Sequence, residues 1–545
     1  MIGNRIIGRR GSAGLLAILA LAAILRIWGL HFGLPHTLTR PDEDASVAIA
    51  MRFFSRSGNP GFFDWPSLFM YAVTVGLIVY FQIGRLVGWF PYEYTFLVAV
   101  SQHPAPVFLI ARWLSAAAGT FTVATMHAIG VRLFDRTTAL VGALFLACAA
   151  LHVRDLHFGV TDVAATWLVT LSFLYTVKYA QAGRRRDAVV SALYAGLAAS
   201  TKYNAALILL PASLAIVCST HEAPRWRVSL LLGCVVLAVA AFFAGTPYAL
   251  IDRASFFASL ASVSAHLRAG HAAMAGPGWI IHLSYSLRYG LGLPLLIAGI
   301  AGLVLYVGHD WRYGLLFSAF PVAYYALIGS GQTAFARYII PVVPFLCLAA
   351  GHLLVESTRT IARWSRRPQW ATMLAWISAA AVAAPSTIAA VRTDWLLTRT
   401  DNRLIAAEWI HQHYPGGATI AQTGSIAGHV YMITADPDTA PRYRAVTFDE
   451  GSGTFRAGGA ESPPPDVIVL QECPLPYYCD VSDGIRRVLR DGYELQRAFI
   501  AVDPSSRTLV YDRDDAFYLP LTGFSAVVRP GPNLSVYRRR PTVPK

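Results

Sequence analysis

The chain has 545 residues, 55% of them hydrophobic and 14% charged, with a formal net charge of +14. A soluble domain carries roughly a quarter charged residues, so this balance excludes an ordinary soluble enzyme and predicts a polytopic α-helical membrane protein. The positive charge does not signal nucleic acid: nearly all of it is Arg, and the clusters Arg5–Arg9–Arg10, Arg184–Arg186 and Arg363–Arg367 flank apolar segments, where the positive-inside rule explains them.

Taken in chain order, apolar spans are expected near 12–30, 112–131, 138–153, 162–180, 188–202, 204–219, 228–246, 286–306, 313–330, 338–355 and 370–391, or about 11–13 transmembrane helices in all. No small-residue cleavage site follows the first, which reads as an uncleaved span. The segment 67–89 is also apolar. If it crossed, the loops holding Arg132, Arg184–Arg186 and Arg363–Arg367 would all face outward, against the positive-inside rule, so it is expected to be re-entrant or interfacial. The N-terminus is then inside. Residues 1–391 form a transmembrane module with outside loops 31–111 and 247–285, and 392–545 form an outside domain.

That tail is polar and rich in Pro and Gly. A helix is expected over Asp401–His413 and another over Asp483–Arg490. Strands are expected at Ala418–Gln422, Asp466–Leu470, Thr508–Tyr511 and Leu534–Tyr537, giving a small α/β domain. Cys473 and Cys479 suit a disulfide in an oxidising compartment, whereas Cys148, Cys218, Cys234 and Cys347 lie in apolar segments and read as packing.

The candidate chemistry lies at loop mouths. Asp42, Glu43 and Asp44 follow Arg40 and Pro41 after the first span. Capping of a following helix accounts for at least one of them. A carboxylate that stays ionised and accepts a proton fits equally well. His152, Asp155, His157 and Asp162 cluster at the second outside loop; their spacing is no recognised zinc pattern, so positioning of substrate is preferred to a fixed metal. Lys202, in Ser200-Thr201-Lys202-Tyr203-Asn204, is one of three lysines in an Arg-dominated chain. It reads as a snorkelling side chain or as a point charge for a phosphate. Arg337-Tyr338, before Pro341 and Pro344, is a second such cation. Asp64-Trp65-Pro66-Ser67-Leu68 and Tyr248 complete the set; the histidines of loop 247–285 are not assigned.

These pieces, with Ala111-Arg112-Trp113-Leu114-Ser115, Arg132-Leu133-Phe134, Gly245-Thr246-Pro247-Tyr248, Asp401-Asn402-Arg403 with Trp409, Tyr511-Asp512 to Pro520 and Arg529-Pro530-Gly531-Pro532, resemble in their order the GT-C membrane glycosyltransferases. The likeness is to the protein-mannosyltransferase-like members of glycosyltransferase family 39, relatives of the lipid A aminoarabinose transferases. It covers nearly the whole chain, each motif being short. At 66–67 the chain has Pro-Ser where Pro-Pro is frequent.

The resemblance implies an inverting hexosyl- or pentosyl-transferase of the bacterial inner membrane, with its N-terminus cytoplasmic and its C-terminal domain periplasmic. It would move a sugar from a polyprenyl-phosphate donor to a lipid, glycan or protein acceptor, with no nucleic-acid partner. Asp42 would be the base and Glu43 the second member of the pair. Asp64, Asp155, Asp162, Lys202, Tyr203, Tyr248, Arg337 and Tyr338 would bind substrate. No cofactor is implied, and a divalent metal is not assigned. The rival class is a polytopic lipid or solute transporter or flippase, which calls for ionisable residues near mid-span and, often, paired repeats; the polar residues here mass at loop mouths, and no repeat is visible.

Overall fold

The computed structural model describes residues 2–54, 58–271, 276–432 and 443–541, and side chains from residue 13 onward. The side chains of Arg5, Arg9 and Arg10, and positions 272–275 of the 247–285 loop, therefore lie outside what is described. The chain divides into two compact units: Met1–Trp28, Ala45–Ile78 and Ile110–Asp394 form the first, and Gly29–Asp44, Val79–Leu109 and Trp395–Lys545 the second.

The first unit is helical. Among the described residues of the chain, six helices are long and apolar enough to cross a membrane, or seven if one bent pair is a single span. The protein is a polytopic α-helical membrane protein. Two expected spans are broken. Residues 138–153 form the helix Arg136–Ala147, then Ala150–Asp155, because Ala149 is extended. Residues 286–306 straddle a bend of 115° between Gly278–Leu291 and Leu293–His309. Gly292 makes that bend with φ 75°, a backbone region open to glycine. The segment 67–89 contains one unbroken 19-residue helix, Leu68–Leu86, apolar and long enough to cross a membrane by itself.

Lipid tails are as apolar as leucine, so helices in a bilayer associate by close packing rather than by burial from water. The Leu293–His309 helix lies so near Val343–Trp364 that a Cβ on Gly302 would run into the Ala349 carbonyl. Phe173, Phe317 and Phe345 interlock at centroid distances of 5.2–5.8 Å. Arg26 is fully buried near the end of the first helix and donates to the carbonyls of Leu146 and Ala147, at 3.2 and 3.1 Å, and to His152 Nδ1 at 2.9 Å. It thereby bonds two of the last carbonyls of the Arg136–Ala147 helix, positions that lack an i+4 donor within the helix.

The second unit is built on a seven-stranded sheet: β1 (Thr419–Gln422), β2 (Arg444–Asp449), β3 (Thr454–Ala457), β4 (Ala460–Ser462), β5 (Val467–Glu472), β6 (Tyr493–Phe499) and β7 (Asn533–Arg539). Their order is β4-β3-β2-β1-β5-β7-β6. β1 pairs in parallel with β2 and β5, and the other pairings are antiparallel. β5 alternates between two cores. Val467 and Val469 face Ala406 and Ile410 of the helix Asn402–His413, while Ile468 and Leu470 face Ile485 and Leu489 of the helix Asp483–Gly492. The sheet is thus covered on both faces, which a parallel centre requires. Gly458 and Gly459 both have positive φ, the turn that joins β3 to β4 in two residues. Of the expected strands, Thr508–Tyr511 fails: it makes only the isolated bridge Val510–Thr522. The Cys473–Cys479 disulfide is present.

Candidate active site

The candidate residues fall into two sets, one in each unit. Glu43, a residue of the second unit, is the first residue of the helix Glu43–Phe54. Asp42 precedes it with φ 70°, and only Arg366 shares this feature among the described non-glycine residues. An ordinary N-cap is extended, so Asp42 is not held as one. A left-handed conformation costs most residues of order 1–3 kcal/mol; Asp tolerates it better than most, and such strain concentrates at functional sites. Glu43 is fully buried and, with Asp44, lies in the first helical turn, where negative charge is favoured.

Just upstream, Arg40 is fully buried. Its Nη1 donates to both oxygens of Asp515, at 3.0 and 2.8 Å, and its guanidinium lies 5.0 Å from the centre of the Phe517 ring. Asp512 and Asp514 are buried in the same stretch. All three aspartates lie in the Tyr511–Pro520 stretch that carries part of the resemblance, but none of them was a candidate site residue from sequence.

His36 is part of the same build. Its Nε2 lies 2.9 Å from the His429 carbonyl, and its ring stacks on Tyr431 at 5.1 Å. Burial, and then the positive charge of Arg403, push its pKa down from 6.5 to about 4, against smaller upward effects of the His429 contact and Asp401. The unfolded chain takes up this proton below pH 6.5, whereas the folded chain resists it down to about 4. Its contribution to stability is therefore full above 6.5 and lost as pH falls toward 4, by on the order of 3 kcal/mol. Thermal unfolding of the full chain in detergent at pH 7.5 and 4.5 tests this. His36→Gln, which keeps a donor for the His429 carbonyl, should show a smaller drop in Tm between the two pH values than the unsubstituted protein; an equal drop would exclude His36 as the source.

In the first unit, three sequence motifs spread over 179 positions of chain meet. Ser67 N–H donates to Thr246 Oγ1 at 3.4 Å, Thr246 Oγ1 and Ser200 Oγ are 2.8 Å apart, and Leu68 N–H donates to the Ser200 carbonyl at 3.1 Å. A second proline at position 67 has no N–H to donate, so the departure to Pro-Ser adds a hydrogen bond here. The Tyr203 hydroxyl donates to the Phe63 carbonyl at 2.8 Å, beside exposed Asp64. Tyr248 packs with Tyr203 around Phe63 and Phe256, which gives both tyrosines a packing role.

The cations have partners. Lys202 forms an ion pair with Asp162 and stands 4.7 Å above the Tyr338 ring. The helix Thr161–Ala182 is not capped by Asp162, since Val160 holds the N-cap position. Arg337 is 5% exposed and stacks on Phe335 at 4.2 Å. Asp155 is fully buried, 3.7 Å from the Arg154 guanidinium. His157 turns elsewhere: its ring nitrogens meet the carbonyls of Val153 and Trp28, and Nε2 is 3.5 Å from Asp394. The first unit thus brings together Asp162, Lys202, Tyr338 and Arg337, and leaves Asp64, Tyr203 and Tyr248 as a separate group. Among the described residues no group of three or more His, Cys, Asp or Glu could hold a metal ion.

Residues 106–247 match the profile of the dolichyl-phosphate-mannose-protein mannosyltransferase family. No curated protein matches the chain by sequence. ArnT from Cupriavidus metallidurans bound to undecaprenyl phosphate aligns over 96% of this chain and 97% of its own, at 15% identity and a TM-score of 0.54. This chain has the fold of a GT-C glycosyltransferase. The same GT-C fold aligns with the apo oligosaccharyltransferase of Archaeoglobus fulgidus over 76% of this chain, at 12% identity and a TM-score of 0.50. The chain covers 62% of that protein, less than two thirds of its length. The expected likeness to the protein-mannosyltransferase-like GT-C enzymes is borne out, and the family profile covers Asp155, Asp162 and Lys202.

Proposed function

We propose that this protein is an inverting glycosyltransferase that moves a sugar from a polyprenyl-phosphate donor to an acceptor on the outer side of a bacterial inner membrane. The observation that carries this is the family match over 106–247, set within a fold shared almost end to end with a protein that binds undecaprenyl phosphate. Asp42 accepts the acceptor's hydroxyl proton. The freed oxygen attacks the anomeric carbon, the bond to the donor phosphate breaks, and its electron pair leaves with the phosphate. Charge developing on that leaving group is stabilised by nearby cations, for which Lys202 and Arg337 are the candidates. Because Asp162 already holds Lys202, the donor phosphate competes with that carboxylate for the ammonium. Glu43 is the second acid of the catalytic pair, and Asp64, Asp155, Asp162, Tyr203, Tyr248 and Tyr338 bind substrate in this reading. Purified protein should carry polyprenyl phosphate detectable by mass spectrometry and transfer label from a polyprenyl-phosphate sugar; protein with neither property would refute the reading.

This reading places the C-terminal domain in the periplasm, a compartment in which the Cys473–Cys479 disulfide persists. Reporter fusions after Arg136, Arg186 and Arg367 should report cytoplasm, and one after Asp401 periplasm. A periplasmic signal at Arg186 would overturn this orientation and make Leu68–Leu86 a crossing helix.

A further inference from the structure

We infer that Asp515, acting through Arg40, is a positioning residue for Asp42, so that the C-terminal domain sets the geometry of the base. The inference rests on the reading of Asp42 as that base. Arg40 lies two residues before Asp42 and is joined to Asp515 across 475 positions of sequence. The guanidinium is fully buried, Asp515 is 1% exposed, and Phe517 lies against the Arg40 side chain. Phe32 meets the same Phe517 ring edge-on at 5.7 Å, and His36 is tied to the His429 carbonyl and stacked on Tyr431. The segment is therefore fixed at residues 32, 36 and 40 before it reaches Asp42. A left-handed Asp42 persists only where its surroundings over-determine the backbone, and these anchors supply that constraint. The backbone around Asp515 is itself held: Asp515 N–H donates to the Asp512 carbonyl at 3.3 Å, the Tyr478 hydroxyl donates to the Asp514 carbonyl at 2.6 Å, and Tyr478 sits inside the loop closed by Cys473 and Cys479.

The test compares Asp515→Asn and Arg40→Lys in the full-length protein by transfer kinetics and by hydrogen exchange. Asp515→Asn should lower kcat by roughly 10–100-fold, the scale of a misplaced catalytic group, with donor KM unchanged. Exchange should quicken in peptides covering 36–46 and stay unchanged in β5. Arg40→Lys, which keeps the charge and loses the planar guanidinium, should recover part of the rate. An unchanged kcat in Asp515→Asn would overturn the inference. So would equal acceleration of exchange in β5, which would make the pair a stability element. If the unsubstituted protein transfers no sugar, the proposed function falls, and exchange over 36–46 still decides whether Asp515 holds this loop.

Discussion

Asp42→Asn is expected to lower turnover by roughly 100-fold or more, the usual scale for losing a positioned general base. Asn is the informative replacement for a structural reason. Asp42 sits at φ 70°, and Asn tolerates that region nearly as well as Asp, so the backbone is kept while the proton acceptor is lost. Asp42→Ala would add a conformational cost of about 1–2 kcal/mol and confuse the two effects. Donor binding should stay near normal, because the phosphate-facing candidates Lys202 and Arg337 are untouched. Asp44→Asn should matter far less, since Asp44 lies in the first turn of the helix and contributes through its favourable position at the positive end. A fully active Asp42→Asn beside a dead Asp44→Asn would move the base two residues along. Activity in both would make the acidic loop structural and turn attention to Asp155 and Asp162.

Lys202→Met is expected to have the second largest effect, through two separable causes. Removing the ammonium strands Asp162, whose side chain is 4% exposed, and breaking a buried pair from one side costs about 3–5 kcal/mol. It also removes a cation proposed to meet the donor phosphate. The double variant Lys202→Met/Asp162→Leu separates these. Replacing both partners by apolar groups should restore most of the stability, while the donor KM rises by roughly 10-fold, worth about 1.4 kcal/mol of lost binding. Asp162→Asn should act in the opposite direction, freeing the ammonium for phosphate and leaving donor KM equal or lower. Donor titrations at fixed acceptor, with thermal melts in detergent, read all three. A double variant with unsubstituted donor KM and turnover would leave Lys202 a structural cation only.

The broad architecture was legible because it rests on composition and period. Apolar runs long enough for a bilayer announce a membrane protein whatever their tertiary neighbours. In the tail, β5 read correctly because it is an interior strand, buried on both faces, so that its apolar run is continuous. Thr508–Tyr511 is also a β-branched and apolar run, yet it forms no strand; whether a run pairs depends on a neighbouring edge, which the segment itself does not encode. β6 is an edge strand with five exposed residues in a row and offers no alternation to read.

The site divides the same way. Sequence marked Asp42, Lys202 and Arg337, because a charge at the mouth of an apolar span is costly and therefore conspicuous. It could not show that Lys202 is matched by Asp162, 40 positions away, or that the Ser67 N–H and the Ser200 hydroxyl meet at the Thr246 hydroxyl. Residue types, hydrophobic period and charge bias are local properties, and they determined the membrane class, the α/β tail and the candidate acids and cations. The pairing of Arg40 with Asp515, the left-handed turn at Asp42 and the burial of Arg26 were decided only by the tertiary structure, because the partner of a buried charge is chosen by proximity in space, and chain separation carries no record of it.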